Sequence, residues 1–102
     1  MTRDDFLKLL ADNYAKSLKI MKKKNADYCG DSDPLANFRR VESFGLSLEQ
    51  GILVRMSDKM ARIGNLLLTT AQVKDESIED TLIDLMGYAN IMLVALQNKK
   101  KK

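Results

Sequence analysis

The segment from Ser77 to Leu96 is apolar on two sides of a helix, and this constrains the chain more than any other feature. Ile78, Leu82, Leu85, Ala89, Met92 and Leu96 recur with a period near 3.5. Ile83, Met86, Leu93 and Val94 lie on another side. A helix with two apolar sides must bury both. A chain of 102 residues forms one small domain with one core. The pattern therefore predicts a helix that packs against its own domain and against another subunit. Asp75, Glu76, Glu79 and Asp80 crowd its start, where they complement the positive end of the helix dipole.

Two more helices are predicted. In the first, over about 3–24, Phe6, Leu10, Tyr14, Leu18 and Met21 share one face. Thr2 is its N-cap, Asp4 and Asp5 fill the first turn, and Lys22, Lys23 and Lys24 fill the last. The second opens on Ser47-Leu48-Glu49-Gln50, which has the spacing of a capping box. Leu48, Ile52, Met56, Met60, Ile63 and Leu67 form its buried stripe, widened by Leu53, Leu66 and Leu68, and a turn follows over 69–74. Residues 25–44 are rich in turn formers (Asn25, Asp27, Gly30, Asp31, Ser32, Asp33 and Pro34) and read as a long loop with a short helix over 35–43. Loops of that length are often functional. The expected fold is all-α: three long helices and this loop in an antiparallel bundle completed by oligomerisation. Residues 1–98 form a single domain, and 99–102 a disordered basic tail.

Composition removes several function classes. The chain has no histidine and one cysteine, so Ser-His-Asp and Cys-His triads and the common zinc sites are excluded. A lone Cys29 suits a reducing compartment, and it has no base beside it in the sequence to make it a nucleophile. Any metal would be a hard cation on carboxylates. No apolar run is long enough to span a bilayer, and the N-terminus lacks a signal-peptide pattern, so a cytoplasmic location without membrane contact is expected. The formal charge of +3 owes much to Lys99–Lys102; without them 13 basic residues face 14 acidic ones. Sequence-specific DNA binding is therefore not expected, whereas a small phosphate-rich ligand fits.

Three constellations could carry chemistry. Arg55, Lys59 and Arg62 share one face of the second helix, with Asp58 offset by one step. They either clamp phosphates, using guanidinium forks and an ammonium, or pair with acids of the third helix. Glu76, Asp80, Asp84 and Tyr88 follow one another at i+4 on the third helix, with Glu79 alongside. Those carboxylates either share Mg²⁺ or serve the helix dipole and ion pairs. Asp84, between Leu82 and Leu85, is too deep to stay unpaired and should meet Arg55, Lys59, Arg62 or a metal. In the loop, Tyr28 and Phe38 either stack on a base or plug the loop onto the core, while Lys24 or Arg39 holds a phosphate.

Taken together, Lys24-x-x-Asp27-Tyr28, Asp33-Pro34-x-x-Asn37-Phe38-Arg39, Glu49-Gln50-Gly51, Arg55-x-Ser57-Asp58-Lys59-x-x-Arg62 and the run from Lys74 to Ala89 resemble the phage and bacterial family called nucleotide modification associated domain one. The resemblance covers about residues 20–95 and implies nucleotide-related work. The layout is also similar to the MazG-like all-alpha NTP pyrophosphohydrolases, which hold Mg²⁺ with ExxE and ExxD pairs on facing helices. Asp84 followed by Tyr88 matches the end of the second pair, but Thr81 stands where its Glu would be, and Arg55 and Asp58 stand at the first pair. A second register uses Glu76, Glu79, Asp80 and Asp84, all on one helix.

The expectation is a phage-type, oligomeric nucleotide-binding protein, dimeric or higher, without a cofactor. It would sequester a nucleotide-derived host immune signal, cyclic or of ADP-ribose type, in the cytosol of the infected cell. Lys24, Asp27, Tyr28, Asn37, Arg39, Arg55, Lys59 and Arg62 are the expected ligand contacts. The alternative is a Mg²⁺-dependent pyrophosphohydrolase, or an accessory of nucleotide or DNA base modification, using Asp58, Glu79, Asp80 and Asp84.

Overall fold

The computed structural model describes residues 1–30, 33–68 and 77–101. All of its elements are helical: α1 (Arg3–Cys29), α2 (Ala36–Arg39), a 3₁₀ turn (Arg40–Phe44), α3 (Leu48–Leu68) and α4 (Ile78–Lys100). The second and third helices of the sequence reading are α3 and α4. No helix among the described residues is long and apolar enough to cross a membrane.

Local chemistry sets the helix starts. Thr2 and Asp5 form a full capping box on α1. The Gln50 N–H donates to Ser47 Oγ at 3.1 Å, and the Ser47 N–H donates to Gln50 Oε1 at 2.8 Å, opening α3. Ser77 Oγ accepts the Asp80 N–H and opens α4. The end of α1 differs from the sequence reading. The helix passes Lys24 and stops only at Gly30, whose φ of 58° suits glycine. Asn25 does not break it, because its side chain is engaged elsewhere: Nδ2 donates to the Pro34 carbonyl at 2.8 Å. The loop is thus shorter than expected, and Asp27 and Tyr28 belong to a helix. Residues 31, 32 and 69–76, which carry part of the expected turns and of the acidic ladder, and Lys102 lie outside the described residues.

α4 is the central element. α3 packs along one side of it and α1 along another, while among the described residues α1 does not pack on α3. α2 and the 3₁₀ turn cover the remaining angle, touching α3 and, through α2, α1. The core lies under α2 and comprises Leu35, Phe38, Leu48, Ile52 and Ala95, with Met56, Tyr88, Ile91 and Met92 against it. Phe38 and Tyr88 meet edge to face, ring centroids 6.1 Å apart. Small residues set the close approaches. A Cβ on Gly51 would lie 2.6 Å from Val41 Cγ2 and 2.9 Å from the Phe38 carbonyl oxygen. The three atoms nearest to one on Gly87 all belong to the Met21 side chain, the closest also at 2.6 Å. Ser17, buried between α1 and α4, donates its hydroxyl to the Ile83 carbonyl at 3.1 Å.

The apolar stripes are only partly covered. Phe6, Leu10, Tyr14 and Leu18 are exposed, and α1 buries Ser17 alone. On α3, Leu48 and Ile52 are buried, but Met60 and Leu67 are 58% and 71% exposed. The radius of gyration, 15.5 Å, exceeds the roughly 13 Å of a compact domain this size. The expected all-helical fold is present. Lys99 and Lys100, assigned to the tail by sequence, lie in α4, and Lys99 Nζ sits 3.2 Å from Glu49 Oε1.

Two predictions follow from this packing. Gly51→Ala should destabilise by about 1–3 kcal/mol, because backbone must move, whereas Gly87→Ala should stay within about 1 kcal/mol because Met21 can rotate away; urea melts of the two variants check the order. Glu49's own backbone N–H, then Lys99, hold its carboxyl below the usual range. A lowered folded-state pKa contributes stability above the ordinary carboxylate range and loses it as pH falls through the lowered value. Glu49→Gln should therefore flatten the acid limb of a stability–pH profile.

Candidate functional site

Asp84 is the one buried acid among the described residues, on the side of α4 between α1 and α3. Lys24 Nζ, from α1, lies 3.1 Å from Asp84 Oδ1. Lys59 Nζ, from α3, lies 3.2 Å from Oδ2. The carboxylate thus holds one ammonium on each oxygen. Its side chain is 13% exposed and those of Lys24 and Lys59 are 37% and 20% exposed, so this is a partly sheltered triad opening to solvent. Low local dielectric strengthens the attraction and makes any missing partner costly.

The sequence offered Arg55, Lys59, Arg62 or a metal as the partner of Asp84, and Lys59 is one that meets it. It gave no sign of Lys24, 60 positions away, as the other. Lys24 arrives there because Ser17 and Met21, on the same face of α1, dock against Ile83 and Gly87 of α4. That docking was missed too, and its only trace in the sequence is the small size of Ser17 and Gly87.

The other expected contacts divide into two sets. Lys24, Tyr28, Asn37 and Arg55 line one cavity beside the triad, together with Phe38 and Tyr88. Its enclosed space is about 30 Å³, one water's share of the liquid, so a ligand would lie over its mouth. Arg55 is exposed one turn before Lys59, and Tyr28 is 62% exposed at the rim. Asn37 Oδ1 lies 3.4 Å from Cys29 Sγ, which ties α2 to the end of α1. Phe38 is buried and forms part of the core rather than a stacking platform.

The second set is elsewhere. Arg39 Nε bonds Asp33 Oδ2 at 2.7 Å and lines a different groove, with Glu42, Glu49 and Lys99. Asp27 is exposed on α1, outside the cavity that Lys24 and Tyr28 line. Arg62 is half-buried on α3, one turn past Lys59. Asp58, Glu79 and Asp80 are exposed. Among the described residues no three His, Cys, Asp or Glu side chains gather as a metal site would require. Thr81, at the position of a metal-binding Glu in the resembled hydrolases, is fully buried and donates its hydroxyl to the Ser77 carbonyl at 3.0 Å.

Comparison with protein-family models, with curated proteins and with solved structures gave no match. The geometry alone therefore carries the functional argument.

Removing the carboxylate should expose how much the fold depends on it. Asp84→Asn is expected to cost about 1–3 kcal/mol, less than a fully buried pair because both lysines reach solvent. Chemical denaturation checks this; a loss below about 0.5 kcal/mol would contradict the triad's role.

Proposed function

We propose that the protein binds a small nucleotide-type anion at the mouth of the cavity beside Asp84 without hydrolysing it, and does so as a homo-oligomer. The observation that carries this reading is that Lys24, paired with Asp84 as Lys59 is, also lines the mouth of a cavity that Arg55 and Tyr28 border. Asp84 aligns the two ammonium groups, one on each of its oxygens. Arg55 adds a planar fork suited to phosphate oxygens. The exposed ring of Tyr28 offers a base a stacking surface, a contact worth about 1–3 kcal/mol.

Hydrolysis through Mg²⁺ is the weaker reading. It needs gathered carboxylates, and here Asp84 faces cations, while Asp58, Glu79 and Asp80 point to solvent. Binding without turnover suits sequestration, in which ground-state affinity is the useful quantity. The class of ligand proposed is a cyclic or ADP-ribose-type signalling nucleotide.

Titration calorimetry with ADP-ribose, a cyclic dinucleotide and ATP, each with Mg²⁺, tests the proposal. At least one should bind, weaken with added salt, and be recovered intact by chromatography. Arg55→Ala should weaken binding about tenfold or more and leave the melting temperature unchanged, since Arg55 is exposed. Absence of binding to all three, or turnover of any, would overturn it.

A further inference from the structure

We infer that two copies of this chain pair through the flank of α3 and α4 opposite α1 and α2, with the two α4 helices antiparallel and crossing at Ala89. The inference gives a surface to the assembly proposed above and does not depend on the ligand.

Packing identifies the flank. Gly51 of α3 faces Val41 and Phe38, and Gly87 of α4 faces Met21. At about 100° per residue, Leu53, Met60 and Leu67 lie on the far side of α3, and Leu82, Ala89 and Leu96 on the side of α4 turned from Gly87, where Ala89 also borders the groove between α1 and α4. These five leucine and methionine side chains are 44–71% exposed. The charges of mid-α3, Arg55, Asp58, Lys59 and Arg62, avoid this side at the same helical spacing. α4 carries no charged residue at all from Leu85 to Asn98. An uncharged, apolar face spanning two neighbouring helices marks an interaction surface.

The pattern along α4 selects a second copy as the occupant. Read from either end, its seam is nearly the same about Ala89. An antiparallel pair sets Leu82 opposite Leu96 of the partner subunit, Leu85 opposite the partner's Leu93, and Ala89 opposite its own equivalent. The small Ala89 lets the helices approach where they cross. Charge agrees: Glu79, at the start of α4, then faces the partner's Lys100, and both are exposed. A parallel pair would instead bring the basic ends of both helices together. Such self-complementarity is what a two-fold interface requires. Two helices of this length present a face of about 30 by 20 Å, or about 600 Å² per copy, approaching the roughly 800 Å² typical of a stable interface.

Disulfide trapping in a Cys29→Ser background tests the register. Under mild oxidation Ala89→Cys should cross-link to itself. Leu82→Cys and Leu96→Cys should cross-link when mixed and not when alone. Glu79→Lys should weaken the dimer several-fold in analytical ultracentrifugation, and adding Lys100→Glu should restore it, which no role inside one subunit would produce. A monomer of 11.5 kDa for the unaltered chain at micromolar concentration would overturn both the assembly and this interface. An oligomer in which Leu82→Cys links to itself, or Ala89→Cys fails to link, would overturn the interface alone.

Discussion

The carboxylate of Asp84 is the point on which the structure depends. Among the described residues α1 and α3 each pack on α4 and not on each other, so the three helices meet along α4. Asp84 occupies it, taking Lys24 from one neighbour and Lys59 from the other. A carboxylate sheltered this far from water is tolerable because both oxygens are matched by ammonium groups. The same arrangement places Lys24 in the wall of the cavity that Tyr28 and Arg55 border. Folding and the proposed anion binding thus draw on one interaction. The acid that holds the helices together also concentrates positive charge at the surface.

The rest of the fold is economical to the point of being incomplete. Its buried apolar cluster has five residues, gathered under α2. Elsewhere helices meet through small residues, Ser17 and Gly87 between α1 and α4 and Gly51 between α3 and the 3₁₀ turn. Those contacts bring backbones close but bury little side-chain area. Phe6 and Tyr14 of α1, Met60 and Leu67 of α3, and Leu82 and Leu93 of α4 all remain exposed. Burial of apolar area is the main force available to a domain this small. The outward faces therefore supply the driving force for the assembly proposed here.

Individual residues show what was legible in the chain. The cap at Thr2, the capping pair of Ser47 with Gln50 and the start of α4 near Ser77 were readable because a helix start depends on a few consecutive residues. The all-helical class was readable from periodicity. The end of α1 was not: Asn25 and Asp27 are turn formers by composition, but Asn25 spends its amide on Pro34, nine residues on, and the helix continues. Nor was the exposure of Phe6, Leu10 and Tyr14, because periodicity reports which residues share a face and not whether anything covers it. Among the site residues, Arg55 and Lys59 were readable as neighbours on one helix, whereas Arg39 belongs to a separate ion pair with Asp33.

By itself, then, the sequence determined most of the elements: that the long stretches are helical, where they begin, and that α4 carries apolar residues on two sides. These properties arise from interactions within a turn or two of helix, which spacing encodes directly. Only the tertiary structure decided that α4 lies between α1 and α3, that Lys24 reaches Asp84 across 60 residues, and that Phe38 is core while Tyr28 is rim. Those outcomes depend on how closely two backbones approach. A missing side chain at Gly87 and a single hydroxyl at Ser17 set that distance, and neither leaves a periodic mark in the chain.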